Sequence, residues 1–156
     1  MNQKTDEKFK KISDYGDRWT LLEGQLDEKP IITRYKETLV GAVGHPDYPF
    51  QIGIAIPLLD PADNGLPALA EGQQLSAIED LLVDTLEEKQ EAVHVMTITF
   101  NNMREFVFYA SREKPQYFEQ KVKSVAEKIT TKHHIQFMMQ LDKQWDTFRK
   151  YSGQQR

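Results

Sequence analysis

An α+β fold is predicted by three observations. Phe50, Ile52, Ile54, Ile56 and Leu58 alternate at a strict period of two, the mark of a strand with one face buried. Two later segments carry apolar residues every three or four positions, as amphipathic helices do. From residue 48 onward the elements run strand, helix, strand, strand, helix, strand. That order is the split βαβ, ferredoxin-like one: an antiparallel sheet with two helices on one face. An extra strand pair precedes it.

Residues 4–13 read as a short helix carrying Phe9 and Ile12. Arg18 to Glu23 reads as a strand, QLDEK as a turn, and Pro30 to Val40 as a second strand with Ile31, Thr33, Tyr35 and Leu39 on one side. Residues 41–49 hold two Gly and two Pro and form a loop. In the strand from Tyr48 to Leu58, Gln51, Gly53 and Ala55 leave room for close packing on the second face. Residues 60–67 (DPADNGLP) are a dense turn, with Asn64-Gly65 suited to positive φ. A helix covers 70–90, its stripe made by Leu75, Ile78, Leu82 and Leu86. Val93–Phe100 and Arg104–Ala110 form a hairpin about an Asn-rich turn. Pro115 opens the second helix, with Phe118, Val122, Val125 and Ile129 inward. His134–Leu141 is the last strand. Trp145, Phe148 and Tyr151 dock the tail, while SGQQR stays free. The organisation expected is an N-terminal extension (1–17), one domain (18–150) and a C-terminal tail (151–156).

The chain has 156 residues, 39% hydrophobic and 28% charged, enough to bury a core without a disulfide or metal. It has no Cys, which excludes thiol catalysis and Cys-ligated zinc. The N-terminus lacks an apolar stretch, and no window is long enough for a membrane helix, so the expected location is the cytoplasm. A net charge of -4 counts against nucleic acid. Residues 60–91 carry nine acids and one base, whereas residues 103–156 carry eleven bases and six acids. That asymmetry reads first as attraction between neighbouring helices and second as a surface that steers a charged partner.

No nucleophile sits in an elbow or beside an evident base, so no catalytic residue is assigned. No His pair has chelating spacing. His45 with Asp47 is a loose pair in a loop, and Asp60, Asp63 and Asn64 suit a turn better than a calcium loop, so no metal and no cofactor is assigned. No Gly-rich loop precedes a helix in a phosphate-binding pattern. Tyr35 and Tyr109 could line an open sheet face for RNA, but REFVFY lacks the glycines of an RNA recognition motif. The candidates for ligand or partner contact are Arg34, Asn64, Gly65, Glu79, Arg104, Tyr109 and Trp145. Glu79 lies beside Ile78 in the apolar stripe and needs a cation, either Arg34 or Arg104. That pair reads as structural, or as the lining of a small pocket.

Trp19 before a strand, Pro30 with Arg34, Tyr48-Pro49, Asn64-Gly65-Leu66-Pro67, Leu75 with Ile78-Glu79, and Thr97 occur in this order. Arg104-Glu105-Phe106 through Phe108-Tyr109, Leu141-Asp142 and Trp145-Asp146 follow. Over residues 18–150 this pattern resembles the bacterial family called domain of unknown function 695. Lys143 stands where that family has Pro. The family has no assigned activity. It is similar in pattern to the regulator of ribonuclease E activity B, an inhibitor protein, and the resemblance implies a regulatory role. The expected function is therefore a non-enzymatic protein-binding module acting through a sheet edge or the acidic helix, with a protein partner or a homodimer. The alternative is a small-ligand binder or enzyme using an Arg/Glu-lined pocket, and RNA binding ranks third.

Overall fold

A computed structural model describes residues 9–154. Its strands are β1 (Trp19–Leu26), β2 (Lys29–Lys36), β3 (Phe50–Pro57), β4 (Ala92–Phe100), β5 (Met103–Ala110) and β6 (Gln136–Leu141). Its helices are α1 (Leu69–Leu86), α2 (Pro115–Ala126) and α3 (Asp146–Tyr151). Among the described residues, none of the helices is long and apolar enough to cross a membrane.

The six strands form one sheet in the order β1-β2-β4-β5-β3-β6, and every neighbouring pair is antiparallel. The N-terminal hairpin thus joins the main sheet, beside β4. Both hairpin turns are tighter than the sequence suggests. Only Asp27 and Glu28 separate β1 from β2, and only Asn101 and Asn102 separate β4 from β5. All four residues have positive φ, the type I′ geometry that matches strand twist.

The alternation of β3 places Ile52, Ile54 and Ile56 on one face, with Phe106 and Phe108 of β5. Leu75, Ile78, Leu82 and Leu86 of α1 cover that face together with Phe118, Val122 and Val125 of α2. Full burial of each such side chain contributes about 1.5–3 kcal/mol.

The second face is covered as well. A 3₁₀ turn (Glu37–Ala42) and α3 bring Leu39, Ala42, Trp145 and Phe148 onto Val95, Met96, Val107 and Tyr109. This is why β2 stops at Lys36 and not at Val40: Leu39 has to turn inward, where it is 1% exposed. It also removes the open aromatic face the RNA reading needs, because Tyr109 is fully buried and Tyr35 packs edge-on against Phe148.

Other boundaries shift for physical reasons. Within the described residues, the helix expected over 4–13 is replaced by a 3₁₀ turn at Ile12–Tyr15; residues 4–8 lie outside them. β6 begins at Gln136, because His133 turns aside to reach Glu71. The tail docks further than expected: Ser152 is buried, and Gly153 lies against Leu22. Residues 155 and 156 lie outside the described residues.

Two glycines matter. Gly65 has φ +86°, and a Cβ there would meet the Asn101 Cα at 3.1 Å. Its carbonyl accepts the Asn102 N–H at 3.0 Å. The 60–67 turn is therefore clamped backbone to backbone on the β4–β5 turn. At Gly53 a Cβ would lie 2.7 Å from the Glu105 carboxylate and 2.9 Å from Met138 Sδ, so the small residue does permit close packing.

Candidate functional site

The hairpin β1–β2 and helix α1 bracket a cleft of about 360 Å³. Trp19, Arg34 and Lys36 project from the hairpin side. Glu79, Asp80, Val83, Asp84 and Glu87 line the α1 side, at the spacing that puts i, i+4 and i+8 on one flank. Asp17 closes one end, and His94 of β4 lies against the Trp19 ring.

His94 reaches this face through a defect in the strand. In a regular strand residues 94 and 97 point to opposite faces. A β-bulge between His94 and Met96 brings both to the helix side. There His94 Nε2 lies 3.1 Å from the Met96 carbonyl and 3.0 Å from Thr97 Oγ1. A carbonyl only accepts, so Nε2 carries the proton. Thr97 Oγ1 donates to Glu79 at 3.1 Å, and Arg34 closes the chain with an ion pair to the other Glu79 oxygen. The Arg34 guanidinium also stacks 4.6 Å from the Trp19 ring centroid. One network thus links His94, Thr97, Glu79, Arg34 and Trp19.

Burial, aided by the nearby Arg34 and Lys36 charges, pulls the His94 pKa from 6.5 down to about 3. The unfolded chain binds this proton at a higher pH than the folded one. The His94 contribution to stability is therefore flat above pH 6.5 and falls as pH drops from 6.5 toward 3, at about 1.4 kcal/mol per pH unit. The expected loss between pH 7 and 5 is about 2 kcal/mol. Denaturant titrations should show this slope in the native chain and a shallower one in His94→Gln. Equal slopes would refute the assignment.

Charge in the cleft is unbalanced: five carboxylates face two cations. Both cations are engaged, Arg34 with Glu79 and Lys36 with Asp17 at 3.7 Å. Asp80 and Asp84 are exposed and have no ion-pair partner among the described residues. Burial raises the Glu87 pKa, although its carboxylate accepts the His94 N–H at 2.7 Å.

Of the sequence candidates, the structure brings only Arg34 and Glu79 together here. Arg104 lies near them but donates its Nε to the Thr99 hydroxyl at 2.8 Å and forms no ion pair with Glu79, although the Glu79 and Arg34 charges both act on it. Asn64 and Gly65 shape the clamped turn, Asn64 Oδ1 accepting the Leu66 N–H at 3.0 Å. Tyr109 and Trp145 are core side chains, not surface contacts, stacked with centroids 4.3 Å apart. The Tyr109 hydroxyl donates to Asp142 at 2.7 Å, and Asp142 also accepts the Asp146 N–H at 2.8 Å and so holds the start of α3. His45 lies buried, Nε2 toward the Lys10 carbonyl at 2.6 Å and Nδ1 accepting the Asp47 N–H at 3.2 Å. Among the described residues no three His, Cys, Asp or Glu side chains converge to hold a metal ion.

Sequence reasoning missed Trp19, Lys36 and His94 as members of this cleft. The bulge has no composition signal. Trp19 and Lys36 do face each other across the hairpin, and the two-residue turn that sets this register could have revealed it.

A family model described as "Family of unknown function (DUF695)" matches residues 17–151. No curated protein matches the chain, and no solved structure does.

Proposed function

We propose that this chain, which belongs to the DUF695 family, is a non-enzymatic binding module whose acidic cleft receives a basic side chain of a protein partner. The observation that carries this reading is the imbalance in the cleft. Asp80, Asp84 and Glu87 line it, while its own cations are engaged by Glu79 and Asp17. A basic group entering beside Val83 and Trp19 gains carboxylates without having to break either pair. Arg34 and Glu79 then act as the wall that holds the hairpin to α1. The regulatory role that the family's resemblance to a ribonuclease E regulator implies, by analogy of pattern alone, fits this reading.

The order β4-β5-β3-β6, with α1 and α2 sharing one core, supports reading residues 48–141 as a ferredoxin-like unit with the β1–β2 hairpin added at one edge. We read residues 18–150 as one domain, working in the cytoplasm.

The test is an affinity capture from native lysate at low and moderate salt, read by mass spectrometry. The native chain runs beside an Asp80→Lys/Asp84→Lys variant shown by circular dichroism to be folded. The expected result is a protein held by the native chain, weakened by salt, and held about tenfold less by the variant, since like charges brought together cost more than 1.4 kcal/mol. A partner retained equally by the variant, or none at either salt, would overturn the reading.

A further inference from the structure

Among the described residues β1 is a sheet edge, with β2 on one side and no strand on the other. Edge strands are usually protected by Lys, Pro, a bulge or brevity. β1 has none of these: it is eight residues long, reads WTLLEGQL, and pairs with β2 residue by residue without a break. Leu21 and Leu22 are 56% and 42% exposed.

The backbone groups that point outward follow from the turn. In a two-residue type I′ hairpin the flanking pair, here Leu26 and Lys29, exchanges both backbone hydrogen bonds. Bonded and non-bonded pairs then alternate. Pro30, opposite Gln25, lacks an N–H and fits the non-bonded position. Thr20, Leu22, Gly24 and Leu26 therefore bond inward to β2, and Trp19, Glu23, Gln25 and Leu21 turn their N–H and C=O groups out.

We infer that this edge pairs with β1 of a second copy of the chain, antiparallel, about a two-fold axis at Leu22. This register sets Leu21 opposite Glu23 of the second copy and Trp19 opposite Gln25, so all four outward residues on each strand find partners. Leu22 meets its own counterpart on the axis. An axis at Glu23 would set two carboxylates directly opposite, which is unfavourable. An axis at Gly24 leaves the Trp19 groups unpaired. The Leu22 faces also adjoin an apolar trough of about 320 Å³, lined in part by Leu26, Ile31, Thr33 and Tyr151, so the contact continues beneath the strand. The two-fold lies perpendicular to the sheet, so α1 of both copies falls on one side. Gln25 of the second copy then stands beside Trp19, at the open margin of the acidic cleft. The proposal goes beyond the cleft reading and does not depend on it.

The absence of Cys makes the test clean. Sedimentation equilibrium of the full chain up to about 100 μM, where interfaces of modest area associate, should show a dimer. Leu22→Lys, which puts like charges on the axis, should weaken it at least tenfold while leaving circular dichroism unchanged. Under mild oxidation Leu22→Cys should form a disulfide-linked dimer, since residues facing across a non-bonded antiparallel pair have Cα atoms about 4.5 Å apart. Gly24→Cys, which has room for a Cβ with its nearest neighbour 4.0 Å away, should cross-link far less. A monomer throughout, a dimer indifferent to Leu22→Lys, or a Gly24 cross-link stronger than the Leu22 one would overturn the inference. A monomer that still captured a partner through Asp80 and Asp84 would leave the cleft reading intact.

Discussion

Trp145→Ala is expected to lower folding stability by about 3–5 kcal/mol, the range for removing a buried large aromatic side chain. Trp145 is fully buried and stacks on Tyr109 at an interplanar angle of 6°. Its Nε1 donates to the Tyr48 carbonyl at 2.9 Å, across 97 positions of sequence. Phe148 packs edge-on against it at 5.7 Å. Removing the indole therefore empties a core position, orphans a buried carbonyl and loosens α3 together. The residue also holds φ at +58°, a conformation that side chains of its size rarely adopt, so tertiary packing outweighs local preference here. Urea unfolding should show the full loss in Trp145→Ala. Trp145→Phe keeps the stacking but not the donor and should lose about 1–3 kcal/mol. Equal losses would mean that the hydrogen bond and not the ring dominates.

The second large effect is expected at Glu71, on the first turn of α1 yet only 4% exposed. Its carboxylate accepts the N–H of Leu59 at 2.6 Å and of Asp60 at 2.8 Å, and meets His133 Nε2 at 2.7 Å. Thr131 Oγ1 sits 2.7 Å from the other His133 nitrogen. One side chain thus joins the end of β3, the start of α1 and the approach to β6. Glu71→Ala leaves the Leu59 and Asp60 N–H groups and a buried imidazole without their acceptor, and should cost about 3–5 kcal/mol. Burial alone would raise the Glu71 pKa, but the Leu59, Asp60 and His133 donors together bring it below 4.5. A carboxylate depressed in the folded state contributes stability that is present above pH 4.5 and lost as pH falls through its folded value. Glu71→Gln should therefore remove that part of the acid sensitivity. An Ala variant as stable as the native chain at pH 7 would refute the role.

Much of the fold was legible because burial writes a period into the sequence. The β3 alternation, the Leu75-Ile78-Leu82 stripe and the Asn-rich hairpin turn each carry one signal from one cause. The DUF695 resemblance was legible too, through motifs whose roles the structure explains: Asn64-Gly65 is a clamp, and Asp142 with Trp145 fastens α3. What stayed hidden depends on pairs distant in sequence. Glu71 looks like any acid in a first helical turn until His133 arrives from 62 positions away. Tyr109 looks available until Trp145 covers it. Arg34 and Arg104 were equal partners for Glu79 until strand order put β2 beside β4, where Arg34 faces Thr97.

The placement of α3 has a consequence for synthesis. The apolar side of β4 and β5, with Val95, Met96, Ile98 and Val107, is complete once residue 110 has been made. Leu39 and Ala42 of the 3₁₀ turn are already made by then, but the largest side chains that cover it, Trp145 and Phe148, are added only after α2 and β6. At about 5–20 residues per second, the nascent chain carries that face only partly covered for about 2–8 s before residue 151 is joined. A message truncated after β6 but before α3 yields a chain with all six strands and a permanently half-covered surface, a natural substrate for chaperones and proteases.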